Sequence, residues 1–212
     1  MVNDLIGDDE TASREIFGLG YGAAVEFARL LAEEGELRGL IGPKEVPRLW
    51  RRHILNSTAA APFLPKAGTV ADVGSGAGLP GIVLAILRPD LEFDLIEPME
   101  RRVQWLNEAR ELLDLDNVSI IHSRAEELHK KQRYDAVTAR AVAALDKLLR
   151  FTGPLISGEG RLLALKGQRV HDEITQAEHV LRRLKLVVVD VHEVDVLGDG
   201  DVTYVVEVKR SS

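Results

Sequence analysis

Cysteine is absent from all 212 residues. The chain therefore forms no disulfide, holds no thiolate metal site and attacks nothing through a cysteine. Long apolar runs are missing as well: nowhere do about 18 uncharged apolar residues follow one another. The start, Met1-Val2-Asn3-Asp4, is acidic with no apolar stretch behind it. A soluble, cytoplasmic protein without signal peptide or membrane contact is expected. A surplus of base is lacking too, since 27 Lys and Arg against 34 Asp and Glu give a net charge of -7, and that balance alone argues against a polyanionic partner. No repeat or low-complexity tract occurs. What remains is ordinary for a globular protein: 45% apolar and 29% charged residues, in a length that suits one good-sized domain with an attached subdomain.

The average charge hides a division. Residues 1–37 carry nine acids (Asp4, Asp8, Asp9, Glu10, Glu15, Glu26, Glu33, Glu34, Glu36) and two bases (Arg14, Arg29), which leaves 25 of each sign in the rest. Immediately after them, Arg38, Lys44, Arg48, Arg51 and Arg52 stand against Glu45 alone. This basic run is either a solvated face or a track for the phosphates of a nucleic acid.

Apolar residues Ile16, Leu19, Ala23, Ala24, Phe27, Leu30 and Leu31 recur at helical spacing and predict one amphipathic helix over Ala12–Glu34. Two shorter helices are expected over Glu45–Trp50 and Arg52–Phe63, the second stopped by Pro62 and Pro65. Residues 1–65 thus read as a helical cap. From residue 66 to 212 the grammar becomes strand and helix in alternation, the pattern of a parallel sheet with crossover helices. Strands are predicted at Thr69–Val73, Glu92–Glu97, Val118–His122, Ala136–Ala139 and Arg161–Leu165, with helices at Pro80–Leu87, Glu100–Leu113, Ala144–Phe151 and Asp172–Leu184. Leu186–Val196 and Thr203–Arg210, parted by Gly198-Asp199-Gly200, should pair as an antiparallel hairpin. The expected fold is α/β, a mostly parallel seven-stranded sheet closed by that hairpin.

The strongest chemical signal is Asp72-Val73-Gly74-Ser75-Gly76-Ala77-Gly78-Leu79-Pro80-Gly81, a strand entering a glycine-rich turn and then a helix. Glycines let a ligand lie directly on the backbone, and Glu97, closing the second strand, is placed to hold a ribose hydroxyl pair. A dinucleotide site would put pyrophosphate at the helix N-terminus, where the Asp72 carboxylate opposes it by like charge. An acid followed by Gly-x-Gly-x-Gly suits S-adenosylmethionine instead, which carries a sulfonium and no phosphate. Gly74→Asp is expected to abolish cofactor binding while sparing the fold. After the third strand, Ser123-Arg124-Ala125-Glu126-Glu127 offers backbone groups and one acid to an adenine edge. The plain alternative for Glu126 is a helix N-terminal acid. Arg140 ends the fourth strand and is expected to project into the crevice at the carboxyl edge of the sheet, the alternative being a structural ion pair.

Absences narrow the reaction. The Asn or Asp-Pro-Pro-aromatic run expected for transfer to an exocyclic adenine amine is missing from Thr138–Val142, and pyrimidine C5 chemistry lacks its cysteine. Guanine N7 already presents a lone pair and needs only alignment. The six histidines show no i, i+4 pairing that would suggest a metal.

Taken together, Arg52-His53-Ile54-Leu55-Asn56-Ser57, Asp72–Gly81, Ser123–Glu127, Ala139-Arg140-Ala141 and Lys166-Gly167 closely resemble the bacterial 16S ribosomal RNA guanine-N7 methyltransferases, the glucose-inhibited division protein B family, from about Gly20 onward. The resemblance implies a Rossmann-type class I methyltransferase domain with a helical N-terminal cap. It also implies transfer from S-adenosyl-L-methionine, released as S-adenosyl-L-homocysteine, to a guanine in the decoding-region loop of 16S ribosomal RNA. By motif, Gly74 and Leu79 line the methionine part and Ala125 and Glu126 meet the adenine. Arg140 serves both catalysis and cofactor, beside Asp72, Gly76 and Glu97. Lys44, Arg48, Arg51, Arg52, His53 and Lys166 are the RNA-binding candidates. A monomer acting on 16S RNA or the small subunit is expected. The alternative is a non-catalytic module that binds a nucleotide or assists ribosome assembly with the same pocket. Many family members read Asn-Leu-Thr where this chain has Gly39-Leu40-Ile41.

Overall fold

The computed structural model describes residues 5–211, so the reading of Met1–Asp4 lies outside the described residues. Seven strands, β1 (Thr69–Val73), β2 (Glu92–Glu97), β3 (Val118–His122), β4 (Tyr134–Arg140), β5 (Ile156–Lys166), β6 (Leu186–Asp195) and β7 (Val202–Arg210), form one sheet in the order β3-β2-β1-β4-β5-β7-β6. The first five run parallel, while β7 pairs antiparallel with both β5 and β6. The Asp195 carboxylate closes the β6–β7 turn by accepting the N–H groups of Gly198, Asp199 and Gly200.

Alternate residues of the central strands feed two cores. Val70, Phe93, Leu95 and Leu163 pack on one face, and Ala71, Val73, Ile96, Val137 and Leu162 on the other. Burial on both faces is why these strands read as continuous apolar runs. The first face is covered by α2 (Tyr21–Glu34), α3 (Gly81–Leu87) and α4 (Glu100–Leu112), with α1 (Glu10–Phe17) at the rim, and the second by α5 (Leu145–Thr152) and α6 (Val170–Leu184). None of the helices among the described residues is long and apolar enough to cross a membrane.

The helical segment before β1 departs from expectation in two places. Instead of one helix over Ala12–Glu34 there are two, because Gly18 takes φ 51, ψ -123, a conformation open in practice only to glycine. The break turns Leu19 outward to full exposure. Downstream, a 3₁₀ turn at Val46–Arg48 runs straight into a π-helical stretch, Leu49–Leu55, and a second 3₁₀ segment, Thr58–Phe63, contains Pro62 rather than stopping at it. In the sheet, β5 begins five residues before the predicted Arg161. Gly158 and Gly160 fall inside that added stretch. Gly160 serves a close approach, since a Cβ there would lie 2.5 Å from the Tyr134 carbonyl oxygen.

The helical segment and the sheet share one core. Phe27, Trp50, Ile82 and Trp105 belong to the same buried cluster. Trp50 donates to Ser13 Oγ at 3.0 Å, Trp105 donates to the Ala77 carbonyl at 3.0 Å, and Phe63 stacks on His192 with ring centroids 3.8 Å apart. Phe27→Ala should therefore weaken the whole molecule by about 3–5 kcal/mol in one cooperative urea transition. A loss under about 1 kcal/mol, or a separate early transition of the first 65 residues, would contradict a shared core.

Candidate functional site

Strand order reverses between β1 and β4, and the crevice above their carboxyl ends is where open parallel sheets bind ligands. Gly74, Gly76 and Gly78 follow β1 with φ of 71, 55 and 96, a left-handed series that side chains resist. The turn is held from below. Gly74 N and Ser75 N both donate to the Ile96 carbonyl, at 2.8 and 3.3 Å, and Gly76 N donates to Glu97 Oε2 at 2.9 Å. A Cβ on Gly74 would lie 2.8 Å from Val142 Cγ2. Gly74→Asp is therefore expected to cost fold stability, contrary to the expectation that it spares the fold, with the left-handed backbone alone worth about 1–2 kcal/mol.

Asp72 lies beneath this turn, 1% exposed. Its Oδ1 accepts from Thr138 Oγ1 at 2.9 Å and its Oδ2 from Gly81 N at 3.1 Å. Burial pushes its pKa up to about 6 against those hydrogen bonds. The N-terminus of α3, the place of a pyrophosphate in a dinucleotide fold, is already given to a carboxylate. Both oxygens of Asp72 are thus committed beneath the turn.

Glu97 is also 1% exposed. Each of its oxygens accepts one backbone N–H, from Gly76 and from Met99, both at 2.9 Å. A carboxylate offers about four acceptor sites, so capacity is left for a hydroxyl pair. Arg102, which the sequence reading passed over, places Nη1 3.9 Å from Glu97 Oε2 and 3.7 Å from a Cβ built on Gly76, while its buried Nε has no hydrogen-bond partner. Orphaned buried donors are rare in native proteins. A half-buried glycine backbone without side chains at Gly74 and Gly76, a carboxylate with spare acceptors and an unfilled guanidinium donor fit a zwitterionic nucleoside ligand. Leu79 is half-buried beside the turn, Ala125 is buried after β3, and Glu126 is exposed at the head of a 3₁₀ turn, Ala125–Leu128.

Arg140 is where the structure departs most from the sequence reading. Its Nη1 donates to the His53 carbonyl at 3.0 Å and to Ser57 Oγ at 3.1 Å, and its Nη2 donates to the Arg52 carbonyl at 3.0 Å and to His53 Nδ1 at 2.7 Å. All four terminal N–H groups are spent on Arg52 and His53 of the π-helical segment and on Ser57 just after it, so the fork is not free to hold a base. Burial, then the nearby Arg52 charge, lower its pKa to about 10, and it stays a cation. Because arginine cannot accept, His53 Nδ1 carries the lone pair and Nε2–H donates to Glu45 Oε2 at 2.8 Å. The tautomer is thereby fixed.

Beyond Arg140, Ala141 takes φ 56 and turns the chain so that Val142 meets Gly74. An open cleft of about 1040 Å³ lies alongside, lined among others by Arg48, Arg52, Arg140, Val142, Lys166 and Arg169. The basic run divides there. Arg51 is bound bidentately to Asp9, at 2.5 Å on each oxygen, and to Asp199 at 2.7 Å. Arg38 pairs with Glu34 and Glu108 and lies over the Trp105 ring. Lys166 is 9% exposed and bonded to Glu173. Lys44 and Arg48 are exposed with no ion pair among the described residues, and Arg52 is half-exposed, 3.6 Å from Glu45. Arg169, exposed on the opposite wall, was missed. Its only signal was a place two residues after Lys166-Gly167. Gly39 takes φ 64, with the Arg101 guanidinium 3.9 Å from its built Cβ. That is a conformation glycine and asparagine adopt readily. No group of three or more potential metal ligands occurs among the described residues.

These elements define a methyltransferase. The sheet order, glycine turn and strand-end carboxylate are those of the Rossmann-type methyltransferase fold, and TYW2 from M. jannaschii, solved in complex with AdoMet, shares that fold with a TM-score of 0.58 at 18% identity over 74% of each chain. Residues 21–197 match the family model GidB, rRNA small subunit methyltransferase G. Proteins named ribosomal RNA small subunit methyltransferase G are 60% identical in Beutenbergia cavernae, over 93% of each chain, and 53% identical in Thermobifida fusca, over 90% of this chain and 79% of the relative. The chain belongs to the rRNA small subunit methyltransferase G family.

The His53 contacts carry a pH signature. Burial, then the Arg140 charge, depress its pKa below the usual 6.5, while Glu45 opposes and Arg52 assists. Its stabilising contribution is therefore complete above 6.5 and lost as pH falls through the depressed value. Asp72, with a raised pKa, runs the other way: its contribution is lost as pH rises through about 6. The two overlap in wild type, so the difference between wild type and His53→Asn isolates His53. That difference in unfolding free energy should shrink on going from about pH 8 to about pH 5. A difference independent of pH would contradict the bonding assigned to His53.

Proposed function

We propose that this protein transfers the methyl group of S-adenosylmethionine to N7 of a guanine in the decoding-region loop of 16S ribosomal RNA. Family membership supports the reaction class. The observation that carries the cofactor is Asp72: a buried carboxylate on Gly81 N leaves the α3 N-terminus no room for phosphate and suits a donor that has none. When bound, the cofactor supplies an electrophilic sulfonium methyl, and S-adenosylhomocysteine leaves.

The residues divide the work as follows. The backbone at Gly74 and Gly76, with Leu79, holds the methionine part, Glu97 accepts the ribose hydroxyls, and Ala125 with Glu126 reads the adenine. Guanine N7 brings its own lone pair and no proton, so no general base is needed. Consistent with that, the one imidazole in the crevice, His53, has its lone pair engaged by Arg140. Rate comes from alignment. Lys44, Arg48, Arg52 and Arg169 hold RNA phosphates, while Arg51 and Arg140 tie the cap, residues 1–65, to the methyltransferase domain, residues 66–212. The protein acts as a cytoplasmic monomer on the small subunit.

Undermethylated small subunits incubated with labelled S-adenosylmethionine should take label into 16S RNA, with chain scission at one guanine after treatment selective for N7-methylguanine. Unlabelled RNA would refute the reading. Arg48→Ala with Arg52→Ala should lower the slope of log affinity for RNA against log salt by roughly 0.7 to 0.9 per contact. Arg51→Ala should lower thermal stability and leave that slope in place. The reverse pattern would return Arg51 to the RNA surface.

A further inference from the structure

Two groups in the crevice are bonded more completely than an RNA contact would be, and they hold the segment that closes on the glycine turn. Lys166 is the last residue of β5, one beyond Leu165, which pairs in register with Arg140. Its Nζ donates to the Ala143 carbonyl at 2.7 Å and to Glu173 Oε2 at 2.8 Å. The same Oε2 accepts Leu145 N at 2.8 Å. Glu173, from the first turn of α6, thus caps the N-terminus of α5, and Lys166 joins that cap to the turn before it. The turn at 141–144 is pinned at its far end by this pair and at its near end by Arg140. Between the pins stand Ala141, at φ 56, and Val142, 37% exposed, against Gly74.

We infer that Lys166 and Glu173 are positioning residues, a charged strut that fixes the 141–145 turn and with it the placement of Val142 over the glycine turn where cofactor and guanine meet. The inference rests on the reaction proposed above. It differs from the sequence expectation, which put Lys166 on an RNA phosphate. A lysine with its stem buried and its charge shared between a carbonyl and a carboxylate has little left for a phosphate, whereas a displaced turn misaligns reactants whose rate depends on alignment.

The test uses Lys166→Met, which keeps the stem, Glu173→Gln, which keeps an acceptor for Leu145 N, the double variant and Lys166→Arg. Each single change should lower kcat by about tenfold or more while KM for the small subunit stays within about twofold. The double variant should be no worse than the poorer single one, because the pair acts as a unit. S-adenosylhomocysteine affinity, read by calorimetry, should fall in both single variants, Lys166→Arg should recover part of kcat, and the salt slope of RNA binding should not move. A raised KM with unchanged kcat and a slope smaller by about 0.7 would make Lys166 a phosphate contact and overturn the inference. Additive losses would overturn it too. Should wild type methylate no RNA, the proposed reaction fails and the strut is judged separately, by faster amide exchange at Leu145 and weaker S-adenosylhomocysteine binding in Glu173→Ala, which removes the acceptor of Leu145 N. Unchanged values of both would end it.

Discussion

A guanidinium drawn out of water needs partners for its donors, and an unfilled buried donor costs about 1–3 kcal/mol. Half-buried Arg140 fills its four terminal N–H groups only by drawing Arg52, His53 and Ser57 down onto the end of β4. The π-helical geometry of Leu49–Leu55 turns two successive carbonyls and an imidazole nitrogen toward one side chain. Such segments recur at functional sites. With the segment fixed, Glu45 follows through His53, Trp50 is seated against Ser13, and Arg51 is brought between Asp9 and Asp199. One charge-bearing fork thereby sets the wall of the cleft, the tautomer of its histidine and the approach of the acidic N-terminal segment.

The floor of the crevice is set by the opposite charge. Asp72 and Glu97 hold the glycine turn through Gly81 N and Gly76 N, and Thr138 ties Asp72 across to β4. Burial costs Asp72 much of its preference for ionisation, which appears as a pKa near 6. In exchange the turn is rigid before a ligand arrives, so less ordering is left for binding to supply. Acid below and base above meet at the Ala141–Val142 turn, which connects the two halves of the site.

The sheet was largely legible because parallel strands buried on both faces read as apolar runs bounded by glycine and proline. β1 and β2 match their predicted limits for that reason, and the edge strand β3 matches too, on its Val118, Ile120 and Ile121. The reading failed where backbone conformation or a distant partner decided the outcome. Gly18 split a helix that the apolar period favoured, and Gly158 and Gly160 hid the start of β5. Charges were visible but their partners were not. Arg51 belongs to acids 42 and 148 positions away and Arg140 to acceptors 83 to 88 positions away, distances over which the linear sequence carries no pairing signal. Arg102 was overlooked because its meaning lies in an empty donor, visible only once the turn around it has folded.

Amide hydrogen exchange across residues 49–57 in Arg140→Lys tests the central claim most directly. A lysine ammonium has three donors on one atom and cannot reach the acceptors that the planar fork fills. The account predicts faster exchange throughout Leu49–Ser57, beginning at the residues that share the fork, together with loss of methyl transfer. Exchange that stays at the wild-type rate while transfer is lost would show that Arg140 serves the substrate directly and that the cap is held by something else.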